Sequence, residues 1–306
     1  MHANELSQLA IAPAETDADL EAMIHVRSLV TPEAHPAVEN LRHNLDSKEE
    51  LDYLVARVDE EPVACAFVEP WGSVAAADIA VVPEHRRRGV GSAMLAEISR
   101  RARGFGKDAI QGEVKESDPD SRAFLERRGF AQVGAEKALV LELEGGLEPP
   151  EIDAPEGVRI VSRAEEPDRL EGMYAVAVQA DEDIPGATGV QTFDQWRAQE
   201  IDKPAKRPEL CFIALVGEEV VGYAALHASG GECFNALTAT RRDWRRRGVG
   251  SALKRAEIAA VIRTGRYRRL LTESEERNEP MRRLNEKLGY VPAPEWSMVV
   301  MRGPVV

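Results

Sequence analysis

The residues of this chain best placed to do chemistry are two identical octapeptides, Arg-Arg-Arg-Gly-Val-Gly-Ser-Ala, at 86–93 and again at 245–252. Each follows a strand-like apolar stretch and opens an amphipathic helix. Glycines beside cations at a helix start leave backbone N–H groups without internal partners. They also let an anion approach the main chain, at the end of the helix dipole that favours negative charge. The ligand this predicts is a phosphate, with a pyrophosphate as first choice, and two copies predict two sites. The binding residues would be Arg86, Arg87, Arg88, Gly89, Val90, Gly91 and Ser92, and again Arg245, Arg246, Arg247, Gly248, Val249, Gly250 and Ser251. A nucleotide P-loop requires a Lys after its last glycine, and none follows Gly89 or Gly248. A dinucleotide fold requires a third glycine, whereas Gly91 is followed by Ser92, Ala93 and Met94, which makes that reading weak.

Around these turns the chain has room for two domains. It has 306 residues, 43% of them hydrophobic and 30% charged, an ordinary balance for a globular protein. No apolar run approaches a bilayer span, and Met1 to Leu9 lack the basic-then-apolar order of a secretory signal, so the expected location is the cytoplasm with no membrane contact. The net charge of −14 argues against nucleic acid as the main partner, because the arginines cluster locally rather than forming a basic surface. Cys65, Cys211 and Cys233 are odd in number and show no CxxC spacing, so they read as small buried residues, and no metal site is indicated.

Arg86 and Arg245 stand 159 residues apart (245 − 86), and the closing Gly129-Phe130 and Gly289-Tyr290 stand 160 apart (289 − 129). The second copy therefore carries one extra residue, near the end of the glycine-turn helix or in the turn after it. Both halves predict the same order of elements. A short strand comes first, then two helices, the first of them opened in the N-terminal half by Thr16-Asp-Ala-Asp19, a capping pattern. A hairpin follows (Leu51 to Val58 and Val63 to Glu69; Cys211 to His227), and then a strand into the glycine turn (Ser73 to Val82; Cys233 to Thr240). Next come a helix (to about Arg103; to Thr264), a strand (Asp108 to Val114; Arg268 to Ser274), a helix (Asp118 to Arg128; Asn278 to Leu288) and a closing strand stretch (to Leu143; to Met301). The Gly-, Pro- and acid-rich stretch between the halves can bury little and reads as a linker. The expected division is a domain at 1–145, a linker at 146–157 and a second domain at 158–306, of class α+β.

Arg86-Arg-Arg-Gly-Val-Gly91 and Arg245-Arg-Arg-Gly-Val-Gly250 resemble the acyl-CoA-binding motif of the GCN5-related N-acetyltransferases, and the likeness extends over nearly all of both halves. The resemblance implies two tandem domains, each a mixed, mostly antiparallel central sheet flanked by helices, similar in arrangement and size to the actinobacterial mycothiol synthases. It implies acetyl-CoA as cofactor, its pyrophosphate on the two turns. Its pantetheine would run along Ile79 to Val82 and Thr238 to Arg241, with Ala80, Val81, Val82, Ala239, Thr240 and Arg241 as the contacts.

Direct acyl transfer needs a neutral amine, and deprotonating an alkylamine of pKa about 10.4 costs about 4 to 5 kcal/mol at neutral pH. A base is therefore the first requirement, and a general acid for the more acidic thiol the second. The later offset superposes Glu113 on Glu273, both on the strand after the glycine-turn helix. Ribosomal-protein alanine acetyltransferases of this superfamily carry a glutamate base there, five residues before an Asn; here that Asn is Asn278 in the second half, where it would contact the cofactor. The first half has Asp118, an anion less welcome beside CoA phosphates, which points to the C-terminal half as the active one. His227 and Glu69 correspond at the end of a hairpin strand, and His227 is the third catalytic candidate. The family's acid Tyr, four residues before the closing glycine, is replaced by Leu125 and Asn285. The acidic stretch Asp181-Glu-Asp-Ile-Pro185 falls where the superfamily shapes its acceptor site, and either a solvated loop or an ammonium site fits it. The expectation is an N-acetyltransferase acting on a primary amine of a small molecule. A non-catalytic CoA-binding module and an enzyme for protein N-termini or lysines remain the alternatives.

Overall fold

The structure is a computed structural model, and it describes residues 8–32, 37–183 and 191–306. The elements run β1 (Leu9–Pro13), α1 (Asp17–Val30), α2 (Val38–Ser47), β2 (Asp52–Val58), β3 (Glu61–Trp71), β4 (Val74–Val81), α3 (Val90–Gly104), β5 (Ala109–Lys115), α4 (Pro119–Glu126) and β6 (Ala131–Glu142). They continue β7 (Arg159–Ser162), α5 (Leu170–Asp183), α6 (Phe193–Glu200), β8 (Phe212–Val216), β9 (Glu219–Ser229), β10 (Glu232–Thr240), α7 (Val249–Thr264), β11 (Arg269–Glu275), α8 (Glu279–Lys287), β12 (Val291–Pro292) and β13 (Met298–Pro304).

Local sequence explains where these elements start and turn. Thr16 caps α1 through a reciprocal pair with Asp19, and Thr192 caps α6 in the same way with Gln195, so each helix start satisfies two otherwise orphaned donors. The β2–β3 hairpin turns on Asp59 and Glu60, both left-handed (φ 49° and 68°), the backbone twist that two-residue hairpins require. Helix α7 is one residue longer than α3, at the place where the repeat offset changes, and Gly265 ends it in a left-handed cap. Helix α5 begins at Leu170, three residues after Pro167.

The chain divides into two compact units, residues 1–134 with 299–306, and residues 135–298. In the N-terminal unit the strand order is β1-β2-β3-β4-β5-β13; in the C-terminal unit it is β6-β11-β10-β9-β8-β7, with β12 beside β6. β4 with β5 and β10 with β11 pair in parallel, whereas the β1–β4 and β7–β10 neighbours and β6 with β11 pair antiparallel. The units depart from the expected division at 146–157, because the repeats exchange their closing strands. β6, encoded in the first half, pairs with β11, and β13, the end of the chain, lies next to β5. The alternating pattern of either strand specifies one buried face and not a partner, so the primary sequence leaves the choice of sheet open.

The glycine turns lie at equivalent places. Helix α3 packs on one face of the N-terminal sheet, and α1 and α2 pack on the other against Tyr53, Cys65 and Ala80. In the C-terminal unit α7 covers Leu226, Ala228 and Leu270, while α5 and α6 cover Tyr223, Ala225 and Ala239. All three cysteines are buried, which pushes the Cys65 thiol up to about 11 and the Cys233 thiol up to about 12. Among the described residues no group of side chains could hold a metal ion, and no helix is long and apolar enough to cross a membrane.

Candidate active site

The two turns have the same backbone. After β4 and β10 a short 3-10 turn (Pro83–His85; Arg242–Trp244) leads into the arginines. Then Arg87 and Arg246 adopt φ 61° and 60°, and Gly89 and Gly248 adopt φ 93° and 94°. A left-handed arginine costs of order 1–2 kcal/mol, and finding the same outlier at both copies marks a main-chain shape built for something other than packing. Such alternation of handedness gathers successive N–H groups into an anion-binding concavity. No side chain caps α3 or α7, and neither has an acidic residue in its first turn.

Arg86 and Arg245 brace the loops: each donates from Nε to a strand carbonyl, Val81 O and Thr240 O, at 3.0 Å in both copies. Arg245 also pairs with Asp183 of α5, as does Arg242, and hydrogen bonds from Arg242 and then Arg245 hold the Asp183 carboxyl down to about 2. The expected acidic turn is therefore the end of a helix, and Asp183 and Glu182 are engaged by arginines; Ile184 and Pro185 lie outside the described residues. Arg247 stacks on Trp244, 4.9 Å from the ring centre.

The glycines separate into two kinds. Gly89 and Gly248 are required by their positive φ. Gly91 and Gly250 are helical, and a Cβ on either would meet the protein no closer than 3.6 Å (Phe124; Thr240). Nothing in the protein needs a glycine at these two positions. Their open side fits a ligand backbone approaching the first helical turn, as a CoA pyrophosphate would, with Val90, Ser92, Val249 and Ser251 flanking.

Beyond the turns the units differ. In the C-terminal unit β10 and β11 pair as far as Asn235 with Thr272 and then part, and the β10–β9 register shifts between Asn235 and Leu237. That shift is a β-bulge, which leaves Ala236 without a ladder partner. Glu273 is the next residue of β11, half-buried and paired across to Ala138 of β6. Strand alternation puts Glu273 and His227 on the face opposite α7. His227 stacks on Phe234 (5.0 Å between ring centres), and burial, then the charges of Lys206 and Lys203, push its imidazole down to about 4. Also on that face the Tyr223 hydroxyl and the Trp196 indole nitrogen are buried beside one another. Burial and the neighbouring Glu200 raise the Asp181 carboxyl.

In the N-terminal unit β3 and β4 stay in register from Val81 to Val74. Gly112 presses on β4 so closely that a Cβ would overlap the Ala77 carbonyl oxygen. Asp78 faces Phe67 and forms an ion pair with Arg27 of α1, and Glu69, the counterpart of His227, pairs with Lys48. Glu113 reaches solvent, and crowding by surrounding protein atoms and the charge of Asp78 raise its carboxyl. Asp118 and Asn278 both act as N-caps, accepting from Ser121 N (3.0 Å) and Met281 N (3.4 Å). Burial works upward on Asp118, but hydrogen bonds from Ser121 and the charge of Arg86 outweigh it and lower the carboxyl.

The two replacements for the family tyrosine also differ. Leu125 is half-buried, whereas Asn285 is fully buried and neither its Oδ1 nor its Nδ2 has a hydrogen-bond partner. Motif reasoning missed a buried polar group in the C-terminal unit, Lys254, Glu257 and Asn235. The signal was available: Lys254 and Glu257 interrupt the inner face of a helix whose earlier copy has Leu95 and Ile98 there.

Residues 20–130 and 171–290 each match the Acetyltransferase (GNAT) family. The chain belongs to that family. Its two GNAT units are similar to a tandem GNAT protein from the clavulanic acid biosynthesis pathway, 21% identical, with a TM-score of 0.78 over 97% of this chain and 99% of that one. A GCN5-related N-acetyltransferase from Sphaerobacter thermophilus is 19% identical, with a TM-score of 0.76 over 97% and 96%. Another from Kribbella flavida is 16% identical, with a TM-score of 0.54 over 96% and 70%. No curated protein sequence matches the chain. Membership makes this a GNAT acyltransferase of the kind that uses acyl-CoA, in the α+β tandem arrangement expected from the repeat.

Proposed function

We propose that this GNAT protein transfers an acetyl group from acetyl-CoA to a primary amine of a small molecule, by direct attack, in its C-terminal unit. The observation that carries the choice of unit is the β-bulge at Asn235 to Leu237, beside Glu273; in the N-terminal unit the β3–β4 register is unbroken, and although β4 and β5 stop pairing after Ala76 with Gln111, Gly112 keeps a closed contact with Ala77. Acetyl-CoA supplies an acetyl thioester. The amides from Arg245 to Ser251 and the cations of Arg246 and Arg247 hold its pyrophosphate, and Ala239, Thr240 and Arg241 line its pantetheine arm, with Asn278 alongside. Glu273 takes the ammonium proton. His227, neutral at physiological pH, is too weak a base to compete and orients the acceptor. Asn285 stands in the acid tyrosine's place and can hydrogen-bond there but has no proton to give, so the departing CoA thiolate takes its proton from water.

A small acceptor is supported by the polar atoms of Tyr223 and Trp196, which lie inside the domain. The N-terminal unit, through Ala80, Val81, Val82 and Arg86 to Ser92, is a second CoA site without turnover. There Asp118 competes for Arg86, and Arg27 already neutralises Asp78.

The test is release of free thiol from acetyl-CoA against a panel of small amines, N-terminal peptides and lysine peptides. Glu273→Gln should lower kcat strongly at neutral pH and less at high pH, where the amine deprotonates unaided. An unchanged pH profile removes Glu273 as the base, and turnover confined to peptides removes the small-molecule acceptor.

A further inference from the structure

The C-terminal unit carries a buried charge pair that its twin lacks. Lys254 and Glu257, one turn apart on α7, are each 1% exposed, and Asn235 between them is 4% exposed. Lys254 Nζ donates to Asn235 Oδ1 at 2.9 Å, and Asn235 Nδ2 donates to Glu257 Oε2 at 2.6 Å. Thr238 Oγ1 also donates to Asn235 Oδ1, at 3.2 Å, as does Thr272 Oγ1, at 3.4 Å. The second Glu257 oxygen has no partner, and the Lys254 ammonium lies 5.4 Å from the centre of the Tyr290 ring. Burial pushes the Glu257 carboxyl up and the Lys254 ammonium down, each toward its neutral form, against their mutual attraction.

Buried ion pairs contribute little to stability, and replacing both partners by apolar residues of similar volume is often neutral or stabilising. The molecule contains that replacement. At the same helix positions of the N-terminal unit stand Leu95 and Ile98, buried as completely, and Ala76 and Ala77 fill the level of Asn235. The fold therefore does not need the charges. They accompany the bulge, which the N-terminal unit also lacks. Asn235 ties three elements together where β10 leaves β11: its own strand through Thr238, β11 through Thr272, and α7 through the charge pair.

We propose that Asn235, clamped by Lys254 and Glu257, is a positioning residue that sets the main chain of β10 at 235–238 for acyl transfer. This rests on the reading of the C-terminal unit as the reacting one. The clamp acts through the bulge, touches neither acceptor nor thioester, and explains why one copy of a duplicated fold keeps charges in its core.

The test grafts the N-terminal residues onto the C-terminal unit, as the triple variant N235A/K254L/E257I in the full chain. The expected result is acetyl-CoA binding by calorimetry within about threefold of wild type and unfolding at no lower temperature, with kcat lowered about 10- to 100-fold, the scale of a small misplacement of reacting groups. The same kcat as wild type in a folded graft overturns the positioning role. So does a loss wholly in the KM for acetyl-CoA. If the triple variant does not fold, Asn235→Ala alone is read by the same split of kcat against KM, with the same outcomes deciding. Wild-type protein that binds acetyl-CoA at neither turn, or releases no thiol with any amine, overturns the underlying reading instead.

Discussion

The exchanged closing strands predict that damage at the extreme C-terminus unfolds the N-terminal unit. Gly303 makes the sharpest perturbation: a Cβ there would overlap the Phe130 ring and stand 2.9 Å from the Phe130 Cα, so rotating the ring cannot relieve the clash. Phe130 is buried, and overpacking of this kind costs about 1–3 kcal/mol. For a unit of this size each kcal/mol lowers Tm by roughly 3 to 5 °C. Gly303→Ala should therefore lower the unfolding temperature of the N-terminal unit by several degrees. Gly134→Ala, whose Cβ comes no closer than 3.9 Å to Val300, should not. Deleting Val299 to Val306 is harsher. It removes buried Val299 and Met301, worth about 1.5–3 kcal/mol each, and the hydrogen bonds from Val305 N to Asp108 O and from Val306 N to Ser99 Oγ. Together with the pairing of β13 beside β5, that loss rivals the whole stability of a typical domain, about 5–15 kcal/mol. Hydrogen exchange read by mass spectrometry locates the damage. Faster exchange in peptides from 52–115 is expected. Faster exchange confined to peptides from 159–290, or none, would refute the strand assignment and the reasoning built on it.

Two further outcomes follow from the site. Gly250→Ala should raise the thermal stability of the C-terminal unit by about 0.5–1 kcal/mol, because a helical glycine is replaced where a Cβ has room, yet weaken acetyl-CoA binding in a titration; a gain or loss in both would show that the open side is not the ligand's. His227 sets a pH dependence of stability. Its folded-state pKa of about 4 lies below the ordinary 6.5, so the unfolded chain takes up the proton first, and stability falls as pH drops from about 6.5 to about 4, by at most about 3 kcal/mol. His227→Leu should flatten that limb in urea melts across the pH range, and an unaltered limb would place the titrating group elsewhere.

How much of this could be read from residues alone depended on range. The turns were fully legible, because glycine and left-handed backbone are local matters, and the repeated arginine outliers fell within the octapeptide. Glu273 and Asn278 were legible as positions but not as an environment: only the parting of β10 from β11 sets Glu273 at the edge of the gap. The bulge was not legible, since Cys233 to Thr240 reads as an unbroken strand and the extra residue shows only against its partner β9. Asp181 to Asp183 read as part of an acidic turn between two helices; in the structure they end α5, with Glu182 and Asp183 paired to Arg242, about 60 residues later in the chain.

What the amino-acid order determined by itself was the duplication, the class of most elements and the two glycine turns, because capping, glycine handedness and apolar periodicity act over a few residues. Only the tertiary structure decided which sheet each closing strand joins, which copy bends its central strand, and which helix face tolerates a lysine and a glutamate. Those outcomes depend on partners brought together from distant parts of the chain, and a strand's alternating pattern specifies the face it buries without naming the neighbour it buries it against.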